Sequence, residues 1–238
     1  MQELELSIEY PELTGLFYST HQQFDRLQKL CAFLEKAISK EAKRRDAHGQ
    51  RQLKGIKDEV EQEFRSVDID DSLFEIKRDF PRIVRYSLFV SMMSTTEACL
   101  VRLCRVAHRR LEITDEFNEK GSDVIQRALE YLHSKASLDT SRMCYYKELA
   151  DSLRNLRNAI THSEGYITGR VDEEPIRAYC TEATTATIDE RNNIVLSDRF
   201  VTNNAHGMRR LIIQLHGKLK KKIGVHITRS CVIAKSGQ

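Results

Sequence analysis

The sequence predicts a mainly α protein, an antiparallel helical bundle with one small β-hairpin inserted before the last helix. Three observations carry this expectation. Apolar residues recur at three- and four-residue spacing through most of the chain, which is the helical period. Only three prolines (Pro11, Pro81 and Pro175) interrupt that pattern, so few points break a helix. One stretch near residues 180–196 is instead rich in β-branched residues and folds over a polar turn.

Residues 1–13 read as a lead-in, with Glu9-Tyr10 extended because a proline disfavours helix in the residue before it. A long helix follows from Leu16. Phe17, His21, Phe24, Leu27, Cys31, Leu34 and Ile38 keep its spacing, up to a basic, solvated end at Lys40–Asp46. His48-Gly49 predicts a break. A more polar helix then spans 50–65 on a stripe of Leu53, Ile56, Val60 and Phe64. The acidic residues 67–72 read as a loop, and Leu73–Phe80 as a short helix that Pro81 ends or kinks.

The most apolar segment is 82–111. Its apolar residues, among them Leu88, Phe89, Met92, Met93, Leu100 and Leu103, cover more than one face, which marks a central helix. A polar loop at 112–120 leads to a helix over Val124–Leu132, with Ser122 or Asp123 as N-cap. Residues 134–143 form another loop, and 166–176 read as irregular. Cys180–Ile188 and Ile194–Leu196 predict two strands joined over Glu190–Asn193. The last helix spans 202–223, with Met208, Leu211, Ile212, Leu215 and Leu219 inward. This divides the chain into an N-terminal helical hairpin over 1–80, a main helical domain over 81–223 and a C-terminal tail over 224–238.

Composition sets bounds. The formal net charge of +3 permits contact with nucleic acid without implying it. The six cysteines show no Cys-x-x-Cys pair, which suits a reducing cytoplasm. The histidines lack zinc-ligand spacing, so no metal or cofactor is expected. No long apolar run or signal peptide is evident, so no membrane association is expected.

The chemistry concentrates in Glu148–Gly165. Leu149, Leu153, Leu156 and Ile160 fall at i, i+4, i+7 and i+11, a narrow stripe that builds core. Arg154, Arg157, Asn158, Thr161 and His162 fan over the other side, and Gly165 is placed to stop the helix. Arg grips phosphate with a planar fork, an imidazole moves a proton near neutral pH, and an amide can orient either. The same residues also fit a solvated helix end, where a histidine favours the dipole. A loose Arg-x4–6-His spacing recurs at Arg102…His108, Arg127…His133, Arg199…His206 and Arg210…His216. Only Arg157…His162 places a polar residue directly after the arginine, with four residues between the pair. Tyr145 and Tyr146, at the start of this helix, read as core or as base-stacking rings.

Arg157-Asn158-Ala159-Ile160-Thr161-His162 resembles the Arg-polar-x3-His signature of the HEPN superfamily. The order of motif helix, hairpin and last helix is similar to a HEPN subgroup linked to bacterial defence. The resemblance covers the main helical domain and implies a HEPN-like bundle. It implies a metal-independent endoribonuclease that cleaves RNA by 2′-OH transesterification, in toxin–antitoxin or antiphage systems. Other members are non-catalytic modules for dimerisation or for RNA or nucleotide binding. Carried over, Arg157, His162 and Asn158 are the catalytic set. Arg154 and Thr161 support it, and Glu97 either buttresses Arg157 or His162 from the neighbouring helix or is a plain surface residue. Arg102, Lys218 and Lys221 are candidate RNA contacts, and the two lysines also fit the cations that suit a helix C-terminus. Arg157 and His162 lie about 140° apart on an ideal helix, so one copy converges poorly on a phosphate. A homodimer with facing motif helices is therefore expected, with RNA as substrate and a cognate regulatory protein as a further partner.

Overall fold

The computed structural model describes the backbone of residues 10–121, 123–140 and 143–236, with side chains through residue 226. It is mainly helical. In chain order come α1 (Pro11–Gly55), α2 (Glu59–Phe74), a π-helical turn (Glu75–Asp79), α3 (Phe80–Arg110), α4 (Val124–Ser134), α5 (Cys144–Ser163), α6 (Glu173–Glu182), β1 (Ala186–Ile188), β2 (Ile194–Leu196) and α7 (Phe200–Ser236). The strands pair antiparallel, with Ala186 opposite Leu196 and Ile188 opposite Ile194.

Helix α1 starts earlier than Leu16, because Pro11 sits in its first turn, where a missing N–H costs nothing. The lead-in up to residue 9 lies outside the described residues. The break expected at His48-Gly49 is absent. Gly49 is buried against α2, and a Cβ there would come within 2.5 Å of the Ile69 side chain. The glycine serves close helix approach, not termination. The turn falls instead at residues 56–58, where the Asp58 carboxylate accepts the N–H groups of Val60 and Glu61 and starts α2.

The acidic residues 67–72 are helical, not a loop. Leu73 and Ile76 pack with Ala42 of α1 and with Ile69, so burial outweighs the weak helix propensity of the aspartates. Pro81 does not end the helix either. Proline lacks an N–H and crowds the carbonyl four residues back. The π-turn just before it takes up the mismatch, with the Phe80 N–H reaching back to the Glu75 carbonyl.

Helix α3 is the central pillar. Phe89, Met92, Met93, Cys99, Leu100 and Leu103 are fully buried. Helix α1 adds Leu13, Leu16 and Phe24 to the same core, and α7 adds Phe200, Met208, Leu211 and Leu215. Phe89 and Phe200 meet edge to face at 5.2 Å. Arg85 of α3 ties three elements. Its fork donates to both Glu35 carboxylate oxygens of α1, at 2.7 and 2.8 Å, and to the Leu196 carbonyl of β2 at 2.8 Å.

The stretch expected to be irregular, 166–176, contains the start of α6, and Cys180–Glu182 end that helix instead of opening a strand. Glu173 and Glu174 suit a first turn, and Ile176 and Cys180 bury themselves one turn apart. The last helix begins at Phe200 and runs through Ser236, without giving way to a tail at 224. Among the described residues, no helix is long and apolar enough to cross a membrane.

Candidate functional site

Helix α5 presents its two faces as the spacing requires. Leu153, Leu156, Ala159 and Ile160 are buried against the core. Arg154, Arg157 and Asn158 are half-buried, while Thr161 and His162 are exposed.

Arg157 is held from two sides. Its Nη1 donates to Glu97 Oε1 of α3 at 2.5 Å, and its Nη2 donates to Asn158 Oδ1 at 3.3 Å. Glu97 is therefore a partner of Arg157, and no hydrogen bond or ion pair joins it to His162 among the described residues. A guanidinium has five N–H donors, so these two bonds fix its plane and leave others to spare. One turn earlier, Arg154 donates to Asp123 Oδ1 at 2.5 Å and lies 3.9 Å from Asp151. Asp123 was expected to cap α4. Instead it adopts a left-handed backbone with φ of 61°, makes no side-chain cap bond, and spends its carboxylate on Arg154. The alternative cap, Ser122, lies outside the described residues.

These groups line a narrow crevice between α3, the start of α4 and α5. Two guanidiniums face three carboxylates there: Glu97, Asp123 and Asp151. The crevice carries one net negative charge, so an incoming phosphate must displace Glu97 from Arg157. Thr161 turns its hydroxyl onto its own helix, donating to the Arg157 carbonyl at 2.8 Å.

His162 stands apart. It is exposed, and its side chain makes no hydrogen bond or ion pair among the described residues. The helix end that carries it is nevertheless firmly built. Glu164 is left-handed, and the Gly165 N–H closes back on the Ala159 carbonyl at 3.1 Å. Gly165 has φ of 89° and lies over Tyr86, where a Cβ would fall 2.2 Å from the phenol oxygen. That hydroxyl donates to the Ile194 carbonyl, and burial pushes it up to about 12. The helix end, α3 and the hairpin are thus locked together.

The expected RNA contacts do not gather at this crevice. Arg102 lines a groove between α1 and α3 with Glu12, Ser19, Arg105 and Arg109. It lies five residues beyond Glu97, about 140° around the helix. Lys218 pairs with Asp139 at 3.5 Å, and Lys221 is exposed on α7. Tyr146 packs on the core, whereas Tyr145 is exposed. Cys31, Cys99, Cys104 and Cys180 are free and buried, as small apolar residues. Among the described residues, no group of three or more His, Cys, Asp or Glu could hold a metal ion.

One set of residues was not legible as a site. Lys77, Arg78, Arg82 and Arg85, around the π-turn, face the β-hairpin across a groove of about 580 Å³. Their spacing marks a basic helix face, but only the fold brings Arg191 of the hairpin turn opposite them. In comparisons with known proteins, no family model matches this chain, and neither a curated protein nor a solved structure does.

Proposed function

We propose that this protein is a HEPN-like, metal-independent endoribonuclease acting as a homodimer in a bacterial toxin or antiphage system. The observation that supports it is the setting of Arg157. Its fork is half-buried, held by Glu97 and Asn158 one residue away, and has donors left for a phosphate. A solvated helix-end arginine would not need such a mounting.

His162 takes the 2′-OH proton while O2′ attacks the phosphorus. The bond to the 5′-oxygen breaks, and that oxygen receives a proton from water or from the His162 of the second copy. Arg157 offsets the extra negative charge of the pentacovalent transition state. Asn158 holds the guanidinium plane. In this reading the pairing comes from two copies, because no hydrogen bond joins the Arg157 and His162 side chains among the described residues. RNA is the substrate, and a cognate protein would hold the activity in check.

One observation favours a second reading, a non-catalytic dimerisation or RNA-binding module. The His162 side chain makes no hydrogen bond or ion pair among the described residues, and Arg157 is already ion-paired. End-group analysis separates the two. The ribonuclease leaves a 2′,3′-cyclic phosphate and a 5′-OH on RNA and leaves DNA intact, since DNA lacks the nucleophile. Other termini, or equal cleavage of DNA, would rule the mechanism out.

A further inference from the structure

Helix α2 is apolar on two opposite sides. Its inner side meets α1 through Leu73, and through Ile69 against Gly49. At about 100° per residue, Val60, Phe64, Val67 and Phe74 all lie within roughly 40° of the direction opposite Ile69. They point away from α1, and they are 63, 72, 55 and 49% exposed. The packing of α2 on α1 and the π-turn leaves this outer side bare. At its C-terminal end the Arg78 guanidinium lies 5.0 Å over the Phe74 ring.

Single exposed apolar residues are ordinary on a surface. A row that alternates steps of four and three is instead the seam of a coiled coil, shaped to take another helix. The residues around the seam say which helix fits. Its flanks are acidic on both sides, with Glu61 and Asp68 on one and Glu63 and Asp70 on the other. Asp68 pairs with the exposed Arg65 at 3.7 Å. The side chains of Glu61, Glu63 and Asp70 make no hydrogen bond or ion pair among the described residues. Asp71 completes the seam between Val67 and Phe74, exposed and equally unpaired among the described residues. A second copy of this face would set carboxylates against carboxylates. The same charge repels RNA and an anionic lipid surface. A helix with cations beside its apolar stripe meets none of these objections.

We propose that the outer face of α2 docks a basic amphipathic helix of a partner protein. Apolar side chains of that helix interlock with Val60, Phe64 and Val67. Its flanking Lys or Arg residues pair with Glu61, Glu63, Asp68 and Asp70. A cation or an amide stands opposite Asp71 and fixes the register, as one polar residue does in an apolar seam. Phe64 is the anchor, being central and the most exposed of the four. The face belongs to the N-terminal hairpin, outside the stretch that resembles HEPN proteins, and shares no residue with the α5 crevice. It therefore holds or fails independently of the ribonuclease reading.

Fluorescence anisotropy of two labelled synthetic peptides, titrated with the full chain, tests this. Both span about three heptads with Leu at a and d and one Asn at a. One carries Lys at e and g, and the other carries Glu there. The Lys peptide should bind and the Glu peptide should not. Phe64→Ser should weaken binding of the Lys peptide about tenfold or more, as loss of an anchor requires. The double variant Glu61→Lys with Asp68→Lys should also weaken it. Circular dichroism checks that the variants remain folded. Without peptide, Phe64→Ser should sediment as the native chain does, and neither should float with phosphatidylserine vesicles. The proposal is overturned if the Lys peptide fails to bind at high micromolar concentration, if the two peptides bind alike, or if either variant binds the Lys peptide unchanged. A lower oligomeric state in Phe64→Ser would overturn it by placing a second copy on this face. Flotation of the native chain but not of Phe64→Ser would overturn it by placing a membrane there.

Discussion

Glu97 and Arg157 meet across the α3–α5 interface at 2.5 Å, with side chains only 24% and 23% exposed. In the proposed ribonuclease this pair would do two opposing things. It fixes the guanidinium where a phosphate would need it, and it competes with that phosphate for the same charge. Glu97→Ala should therefore lower KM for RNA, because a competing anion is gone, and lower kcat, because the fork is no longer set. The fold should lose about 1 kcal/mol, as for a partly exposed pair with one member removed. Steady-state cleavage and thermal melting of the variant measure both effects.

Gly165 has no room and no conformational alternative. Its φ of 89° is unfavourable for any residue with a side chain, and its Cβ would overlap Tyr86. Gly165→Ala should destabilise the fold by about 2–4 kcal/mol, from backbone strain plus the forced movement of Tyr86. Tyr86→Phe, which only loses the bond to the Ile194 carbonyl, should cost about 1–2 kcal/mol. Urea denaturation of the two variants checks the order.

Two histidines at the α1–α7 contact make stability fall with acid. His21 lies against Phe17 at 4.3 Å and is bonded to Arg209, which in turn pairs with Asp25. Burial, then Arg209, pulls His21 below the usual imidazole range, and Asp25 opposes this. Burial also lowers His216, against the bond to the Leu13 carbonyl and with help from Lys220 and His21. A base whose folded pKa is depressed binds protons less readily in the native state than in the unfolded chain. The stability is thus complete above an unfolded value near 6.5 and declines as the pH falls through the folded values. The melting temperature should drop between pH 7 and pH 5, above the range in which carboxylates titrate. His216→Gln should flatten that dependence.

If two copies share the cleft, two dead variants should rescue each other. Arg157→Ala and His162→Ala are each expected to be inactive. Mixed and allowed to exchange, they form heterodimers with one intact Arg157 and one intact His162 on opposite chains. Partial recovery of cleavage is expected. No recovery, with heterodimers demonstrated by sedimentation, would mean that the two residues act within one chain or not at all.

The helices of the core were readable because their apolar spacing is long and regular, as over Leu88–Leu103 and Met208–Leu219. The errors share a cause. His48-Gly49 and Pro81 carry strong local break signals, but packing against Ile69 and a π-turn absorb them. The acidic 67–72 run was misread because Ile69 and Leu73 are anchored by Ala42, a contact the sequence does not display. In the site, Arg157 with Asn158 was visible from residue order, and Glu97 from its place on the neighbouring helix. The link between Asp123 and Arg154 was not, since it needs a left-handed residue at the start of α4. Nor was the Arg82 groove, whose second wall comes from a hairpin more than a hundred residues away.

Cleavage of RNA in EDTA by the native chain, His162→Ala and Arg157→Ala, prepared identically and shown to be folded, bears most directly on the central claim. The native chain should cut RNA without added metal, and each variant should fall by about a hundredfold or more. Equal cleavage by all three, or none by the native chain, would contradict it.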